Sequence, residues 1–427
     1  MNSVSEIRPV TRVEGHGSIT VQREGERIRN VTLSLYESPR LFEALLVGKR
    51  FDELPEIICR ICSLCSTVHR TCSLLAIEKA FGIEVSEQTR LYRELIVNGG
   101  HIESHALHLF CLALPDLLGV DGFPGLAAKA PDELRLGLRI KAAGNLIQET
   151  VGGRLIHPVT LIPGGMGKPV DGDGLRKLRD VLLDIRPDLD KALALFADAS
   201  SPLDRFHLLA PRFLAVQQGD APPLFGESLL FEPGDVVPAE IYRQTLRERV
   251  VTHSHGKQSM PAGEPVTVGA LARLNLGLEL APQALPVFRE CVPLLTGRDI
   301  RANNLAQAVE LIHATGRSLE IIELILARAF QREPPVDITP RTGIAAAAIE
   351  APRGVLIHSY GFDGRGICTS ADIVTPTAIN QLAMERDLLF LAGQLEDADD
   401  EEMAHLLECL VRAYDPCISC AVHVVRR

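Results

Sequence analysis

Cys62-Ser63-Leu64-Cys65 stands near the start of the sequence and Cys417-Ile418-Ser419-Cys420 near its end. Each is a C-x-x-C pair, a spacing that lets two sulfurs converge on one metal at a turn or helix start, and two such pairs make an S4 set. Zinc ribbons place their second pair within about 15 to 20 residues, whereas roughly 350 residues separate these two. The fold must therefore bring the chain ends together around the site. Spacing alone leaves a zinc staple between the two ends open. The flanks add reactive groups: Arg60 and His69 surround the first pair, Asp415-Pro416 precedes the second and His423 follows it. Such neighbours tune a reactive metal and move protons.

The 427 residues are 46% hydrophobic and 23% charged, the balance of a globular chain rather than a disordered one. Forty-four Lys and Arg against 55 Asp and Glu give a net charge of -11, which argues against a nucleic-acid surface. Aromatics are 4% and Trp is absent, so base-stacking platforms are excluded as well. No apolar run reaches the ~18 to 20 residues of a membrane span, and residues 1–10 lack a basic start and an apolar core. The expected location is the cytoplasm, with no direct membrane span and no nucleic acid. In a reducing compartment ten cysteines, six of them in two clusters near the chain ends, point to metal or redox chemistry rather than disulfides.

Residues 17–37 alternate apolar and polar around Glu24-Gly25-Glu26, which predicts a β-hairpin. Helical periodicity then takes over at 86–114, 132–151, 171–199, 238–251, 266–277, 305–330, 380–393 and 399–413. The acidic run before Met403 sits where a helix start favours negative charge. Residues 213–238, rich in Gly and Pro, read as an elaborated loop or small sheet, and 343–377 as a second small β element. The expected fold is mainly α with small β elements (α+β), a long-helix bundle core with an N-terminal β-hairpin region. It forms a single unit over 1–427, with a β-containing region at 1–50, a helical core at 51–340 and a C-terminal region at 341–427 that completes the metal site.

Three motifs occur together and in order: Arg12-Val13-Glu14-Gly15-His16, then Arg60-x-Cys62-x-x-Cys65-x-x-x-His69, then Asp415-Pro416-Cys417-x-x-Cys420-x-x-His423. In this the chain resembles the large, catalytic subunit of nickel-iron hydrogenases over essentially its whole length, most like the soluble cytoplasmic branch. The resemblance implies that fold, and reversible heterolytic cleavage of H2 to protons and electrons. It also implies a nickel held by four thiolates, with two of them bridging to an iron that carries carbon monoxide and cyanide. Cys62 and Cys417 would be terminal ligands, Cys65 and Cys420 bridging ones. The family usually has Gly where Ser63 stands.

The same resemblance assigns the supporting residues. Glu14 would take the proton from Cys417. Arg353, in Glu350-Ala351-Pro352-Arg353-Gly354, would overhang the open metal position and bind one cyanide, with Pro376-Thr377 at the other. Asp116 and Asp415 would help to orient the site, and Glu43 and His423 would ligand a magnesium ion. His101, His105 and His108 share one helix face and read as packed rather than metal-binding, since no His-Glu-x-x-His accompanies them. Cys59, Cys72, Cys111, Cys291, Cys368 and Cys409 read as packed thiols, too few in cluster spacing for an iron–sulfur relay. A partner iron-sulfur small subunit is implied, with further electron-transfer subunits of flavin/nicotinamide, deazaflavin, ferredoxin or disulfide type, and maturation proteins. No Walker lysine or dinucleotide glycine spacing is present, so the nicotinamide or flavin is expected elsewhere. Related alternatives are the homologous quinone-reductase subunit of respiratory complex I, which lacks the four cysteines, and a hydrogen-sensing regulatory hydrogenase; a zinc-stapled structural subunit of a redox complex is the third. Residues 424–427 are either removed on maturation or retained.

Overall fold

The computed structural model describes residues 2–37, 41–217, 219, 224–296, 299–328 and 333–422. The N-terminal alternation forms strands Gly17–Glu24 and Arg27–Leu35, paired antiparallel from Gly17↔Leu35 to Glu24↔Arg27. Period-2 side chains put Ile19, Val21, Val31, Leu33 and Leu35 on one buried face. A further strand, Asn2–Ile7, pairs with Gly17–Glu24 and was not apparent from the sequence. The buried face packs with Met384 and Leu388 of helix Pro376–Gly393 and with Leu406 and Leu410 of helix Asp400–Ala413. One hydrophobic core thus joins the N-terminal sheet to the two C-terminal helices.

The helical part centres on Ser66–Phe81, Glu87–Leu107, Pro131–Gly152 and Ala302–Ala327. Ser86 caps its helix by accepting from Thr89 N, satisfying an otherwise orphaned amide. Glu87–Leu107 and Pro131–Gly152 approach backbone to backbone: a Cβ on Gly144 would lie 2.6 Å from Glu103 N and 2.7 Å from Gly99 O. The predicted 86–114 helix extends through a π-helical stretch, His108–Ala113, into Leu114–Leu118. Pro115 lacks the amide that a regular ladder would use there.

Other boundaries shift for physical reasons. The predicted 171–199 helix divides into Gly172–Asp184 and Arg186–Asp198, with Pro187 in the opening turn of the second. The predicted 238–251 helix is corrected to short turns at Ala239–Ile241 and Tyr242–Thr245 followed by strand Leu246–Val250. That strand pairs with Lys257–Pro261, and the cross-strand ladder overrides a local helical period. Of 266–277 only Ala270–Asn275 is helical. The last residues of the predicted 305–330 helix fall outside the described residues. Residues 343–377 form strands Gly343–Ala351, Gly354–Phe362 and Cys368–Val374, antiparallel and edged by Phe225–Gly226. Leu214–Gln217, Ser228–Phe231 and Asp235–Pro238 form a separate small sheet. The architecture is mainly α with small β sheets. No single helix among the described residues is long and apolar enough to cross a membrane.

Candidate metal centre

Both cysteine pairs stand at helix starts. Cys65 is the N-cap of Ser66–Phe81, and Cys417, in extended conformation, is the N-cap of the one-turn helix Ile418–Ala421. The N-terminal chain ties the second pair in place: Ile418 N donates to Glu14 O at 3.0 Å, in a parallel bridge between Glu14 and Cys417. All four sulfurs are buried and lie within 4.8 Å of one another. Cys417 Sγ is 2.9 Å from Cys420 Sγ, 3.5 Å from Cys62 Sγ and 3.7 Å from Cys65 Sγ.

Four thiols in so small a dry space cannot ionise independently. Hydrogen bonds from Cys417, Cys420 and Cys65 pull the Cys62 thiol well below its ordinary range, while burial pushes the Cys417 and Cys420 thiols well above theirs. A soft divalent cation relieves this frustration by taking all four as thiolates, so the donor set fits a thiolate-bound metal. A permanent cation already borders it. Arg353 Nη1 lies 3.6 Å from Cys65 Sγ and 3.2 Å from Ser104 Oγ, and the buried Nη2 is ion-paired with Asp415 Oδ1 at 3.0 Å.

Arg353 sits at the tip of a hairpin. Ala351 pairs with Gly354, so Pro352-Arg353 is a two-residue turn. Its Nε donates to the carbonyl oxygen and to Oδ1 of Asp415, and Oδ2 of Asp415 accepts from Gln307 Nε2 at 3.0 Å. Thr377 Oγ1 accepts from Cys417 N at 2.8 Å, and Pro376 opens the helix that carries it. Cys420 Sγ is 3.5 Å from His69 Nε2, whose Nδ1 lies 3.0 Å from His358 Nε2, and His358 Nδ1 meets Tyr360 OH at 2.7 Å.

Glu14 accepts from Ser419 N at 3.1 Å and from Ser419 Oγ. Burial raises its carboxyl, the charge of Cys62 raises it further, and the Ser419 bonds oppose them. Glu14, Arg353, Asp415, Pro376 and Thr377 are thus gathered about the sulfurs, but Asp116 is not joined to them by any hydrogen bond or ion pair. It is gripped instead by Arg12 and Arg412, with Arg412 Nε to Oδ2 at 2.7 Å and Nη2 to Oδ1 at 3.0 Å.

Glu43 accepts from Ile373 N at 3.0 Å and from Lys257 Nζ at 3.3 Å, and burial raises its carboxyl. Lys257 also donates to Glu248 at 3.0 Å. His423, expected beside Glu43, lies outside the described residues, as do Pro39 and Arg40. Val422 pairs with Gly256, next to Lys257. His101, His105 and His108 are buried on their helix and bond to Glu350 O, Glu310 and Gln307 respectively. Sequence reasoning missed Ser104, Gln307, His358 and the part played by Ser419. Only Ser419 carried a local signal, its place inside a C-x-x-C pair.

The chain is similar to known proteins in sequence and in fold. A family model described as nickel-dependent hydrogenase matches residues 40–130, and one described as HoxL-like matches 6–26. The chain is 35% identical to the alpha subunit of sulfhydrogenase 1 from Pyrococcus furiosus, covering 98% of this chain and 97% of that one. It is 31% identical to one subunit of the vhu F420-non-reducing hydrogenase of Methanococcus voltae, covering 89% and 96%. An NAD+-reducing [NiFe]-hydrogenase, solved in the H2-reduced state, superimposes with a TM-score of 0.90 at 25% identity over 99% of both chains. The Ni-Fe-Se hydrogenase of D. vulgaris Hildenborough shares the fold at a TM-score of 0.79, 23% identity, over 99% of this chain and 100% of that one. With its four cysteines converged on one buried site, this chain belongs to the nickel-dependent hydrogenases, as a large, H2-cleaving subunit.

Proposed function

We propose that the chain cleaves H2 reversibly and heterolytically, H2 ⇌ 2 H⁺ + 2 e⁻, on a nickel-iron centre with carbon monoxide and cyanide on the iron. Cys62 and Cys417 would be its terminal ligands and Cys65 and Cys420 its bridging ones. When bound, that centre supplies Lewis-acid and redox chemistry. The observation that carries the reading is the pairing of four converged sulfurs with a half-buried base, Glu14, and a buried guanidinium, Arg353.

The chain's own groups then divide the work. Cys417 Sγ holds a proton first, and Glu14, bridged to Cys417 through the backbone, takes it outward with Ser419 fixing its carboxylate. A carboxylate whose affinity for protons is raised by burial accepts one more readily than an exposed carboxylate does. Arg353, locked by Asp415, presents permanent charge and planar donors to the open side of the site. Thr377, whose Oγ1 accepts from Cys417 N, would donate its hydroxyl proton to a cyanide nitrogen. Asp116 steadies this wall at one remove through Arg412.

Glu43 and His423 would hold a magnesium ion, a hard cation that suits a carboxylate and waters. Glu43 is the half of that pair within the described residues, and Lys257 neutralises it. Electrons leave to an iron-sulfur small subunit, then to further electron-transfer subunits; the relatives, each named as one subunit of a hydrogenase, support such a complex. None of the ten cysteines is joined in a disulfide, which supports a complex in the reducing cytoplasm.

Elemental analysis with infrared spectroscopy, on protein purified anaerobically with its native partners, tests the reading. Nickel and iron in near-equal amounts with carbonyl and cyanide stretches are expected. Zinc alone, without those bands, in matured material would leave only a stapled scaffold.

A further inference from the structure

Arg273 lies on the short helix Ala270–Asn275, is almost wholly buried and touches none of the four cysteines through any described bond. A guanidinium has five N–H donors in a fixed fork. Here all five are used. Nε donates to Glu310 Oε1 at 2.7 Å and Nη2 to Glu310 Oε2 at 2.6 Å; Nη1 donates to Glu350 Oε2 at 2.8 Å. The remaining two go to main-chain carbonyls, Nη1 to Ala351 O and Nη2 to Pro352 O, both at 2.9 Å.

Those two carbonyls belong to the residues immediately before Arg353, at the tip of its hairpin. We infer that Arg273 is a positioning residue for Arg353, a clamp that fixes the backbone of the turn and so the place where the catalytic guanidinium stands. The inference rests on the role proposed above for Arg353.

The surroundings fit a clamp rather than a casual ion pair. Glu350, the strand residue before Ala351, is itself tied at both ends: Oε1 accepts from Val216 N at 2.6 Å and its carbonyl from His101 Nε2 at 3.0 Å. Glu310 takes a further bond from His105 Nε2 at 2.8 Å. On the far side of the turn, Gly354 has φ +126°, and a Cβ there would lie 2.4 Å from Val268 Cγ2 and 2.8 Å from Gly269 N. Gly269 O in turn accepts from Arg273 N at 3.0 Å. The turn is held between the segment that leads into the Arg273 helix and the Arg273 side chain itself. A guanidinium in the active site can be no better placed than the two peptide groups that carry it, and a displacement of about 1 Å in such a group can cost roughly 10²-fold in rate.

The test is a double-mutant cycle on the matured complex, with nickel measured in each variant. Lysine at 273 keeps the charge but has a single nitrogen, unable to reach two carboxylates and two carbonyls at once. Arg273→Lys is expected to lower kcat for dye-linked H2 oxidation by about tenfold or more, with nickel content unchanged. In an Arg353→Lys background the same change should cost less than about twofold, because the group being positioned is gone. Hydrogen–deuterium exchange should rise in the peptide spanning 350–355, a readout independent of turnover. An equal loss in both backgrounds, or unchanged exchange at the turn, overturns the clamp. Arg353→Lys alone reads the other role: full kcat there refutes the reading of Arg353, whatever Arg273 does. If Arg273→Lys fails to accumulate, Glu350→Gln, which removes the charge and keeps one of the two acceptor oxygens, enters the cycle in its place with the same expected outcomes.

Discussion

Nε of Arg353 donates to two oxygens of Asp415, the carbonyl and Oδ1, each at 3.0 Å. Asp415 meets this demand in the left-handed region, at φ +50°, a conformation a non-glycine residue adopts at some cost. The two bonds set the plane of the guanidinium and leave Nη1 near Cys65 Sγ. Lysine at 353 would retain charge but lose the planar fork. Arg353→Lys should therefore lower kcat for H2 oxidation by about 10²- to 10³-fold, the range for losing one preorganised electrostatic donor, with nickel content retained. Dye-linked assays with metal analysis measure both, and an unchanged kcat would remove Arg353 from the reaction.

Glu14→Gln separates proton movement from structure. The amide oxygen can still accept from Ser419, but the side chain carries no acidic proton. Turnover and the exchange of D2 with solvent protons should fall by about 10²- to 10⁴-fold. Stability should move the other way. Burial raises the Glu14 carboxyl above its usual value, so the folded chain binds that proton more tightly than the unfolded one. Ionising it costs stability as pH rises from the ordinary carboxylate range through the raised value. Glutamine removes that cost, and the variant should melt no lower than the wild type at neutral pH. A variant that turns over normally would reject Glu14 as the proton gate.

The sulfur set and the Gly17–Leu35 hairpin were legible because each is written locally, one as a spacing and one as a period of two. Helix Ser66–Phe81 was not, although it carries Cys65: nearly every side chain from Ser66 to Phe81 is buried, so no polar stripe marks its period. The stretch around Leu246 shows the opposite failure, a helical period that strand pairing with Met260 and its neighbours overrides. Asp116 was found by motif, but the sequence could not say that Arg12 and Arg412, each about 100 or more residues away along the chain, would claim both its oxygens. Ser104, Gln307 and Arg273 were invisible for the same reason. Each is one polar residue on a buried helix face, and its meaning lies in partners that only the tertiary fold supplies.

Gly144 tests the packing that carries the helix of Ser104. A methyl there meets backbone on the facing helix, Glu103 N at 2.6 Å and Gly99 O at 2.7 Å, and neither is a flexible side-chain end that can move aside. Gly144→Ala should destabilise by about 1–3 kcal/mol, the usual cost of overpacking. Gly393, at the end of helix Pro376–Gly393, has open space where a Cβ would go, and Gly393→Ala should be neutral or slightly stabilising. Thermal unfolding of the pair checks the contrast, and equal melting temperatures would mean that the two helices do not meet at Gly144.

His313 sets an acid limit on the fold. Its Nδ1 accepts from Ala281 N at 2.9 Å, so that nitrogen must stay unprotonated for the bond to exist. Burial, reinforced by Arg273 and Arg317 and opposed by Glu310, lowers its pKa from 6.5 to about 4. Because the folded value is depressed, the unfolded chain takes up the proton first as pH falls. Stability from this residue is complete above 6.5 and is lost towards about 4, by about 1.4 kcal/mol for each pH unit in that window. Burial also lowers His101 and His105, which add to the same slope. Glutamine at 313 can accept from Ala281 N without titrating. His313→Gln should therefore lose stability less steeply than the wild type between about pH 6.5 and about pH 5, as read from denaturant unfolding across that range. Identical slopes would show that His313 takes up its proton as readily in the folded chain as in the unfolded one, against the bond from Ala281.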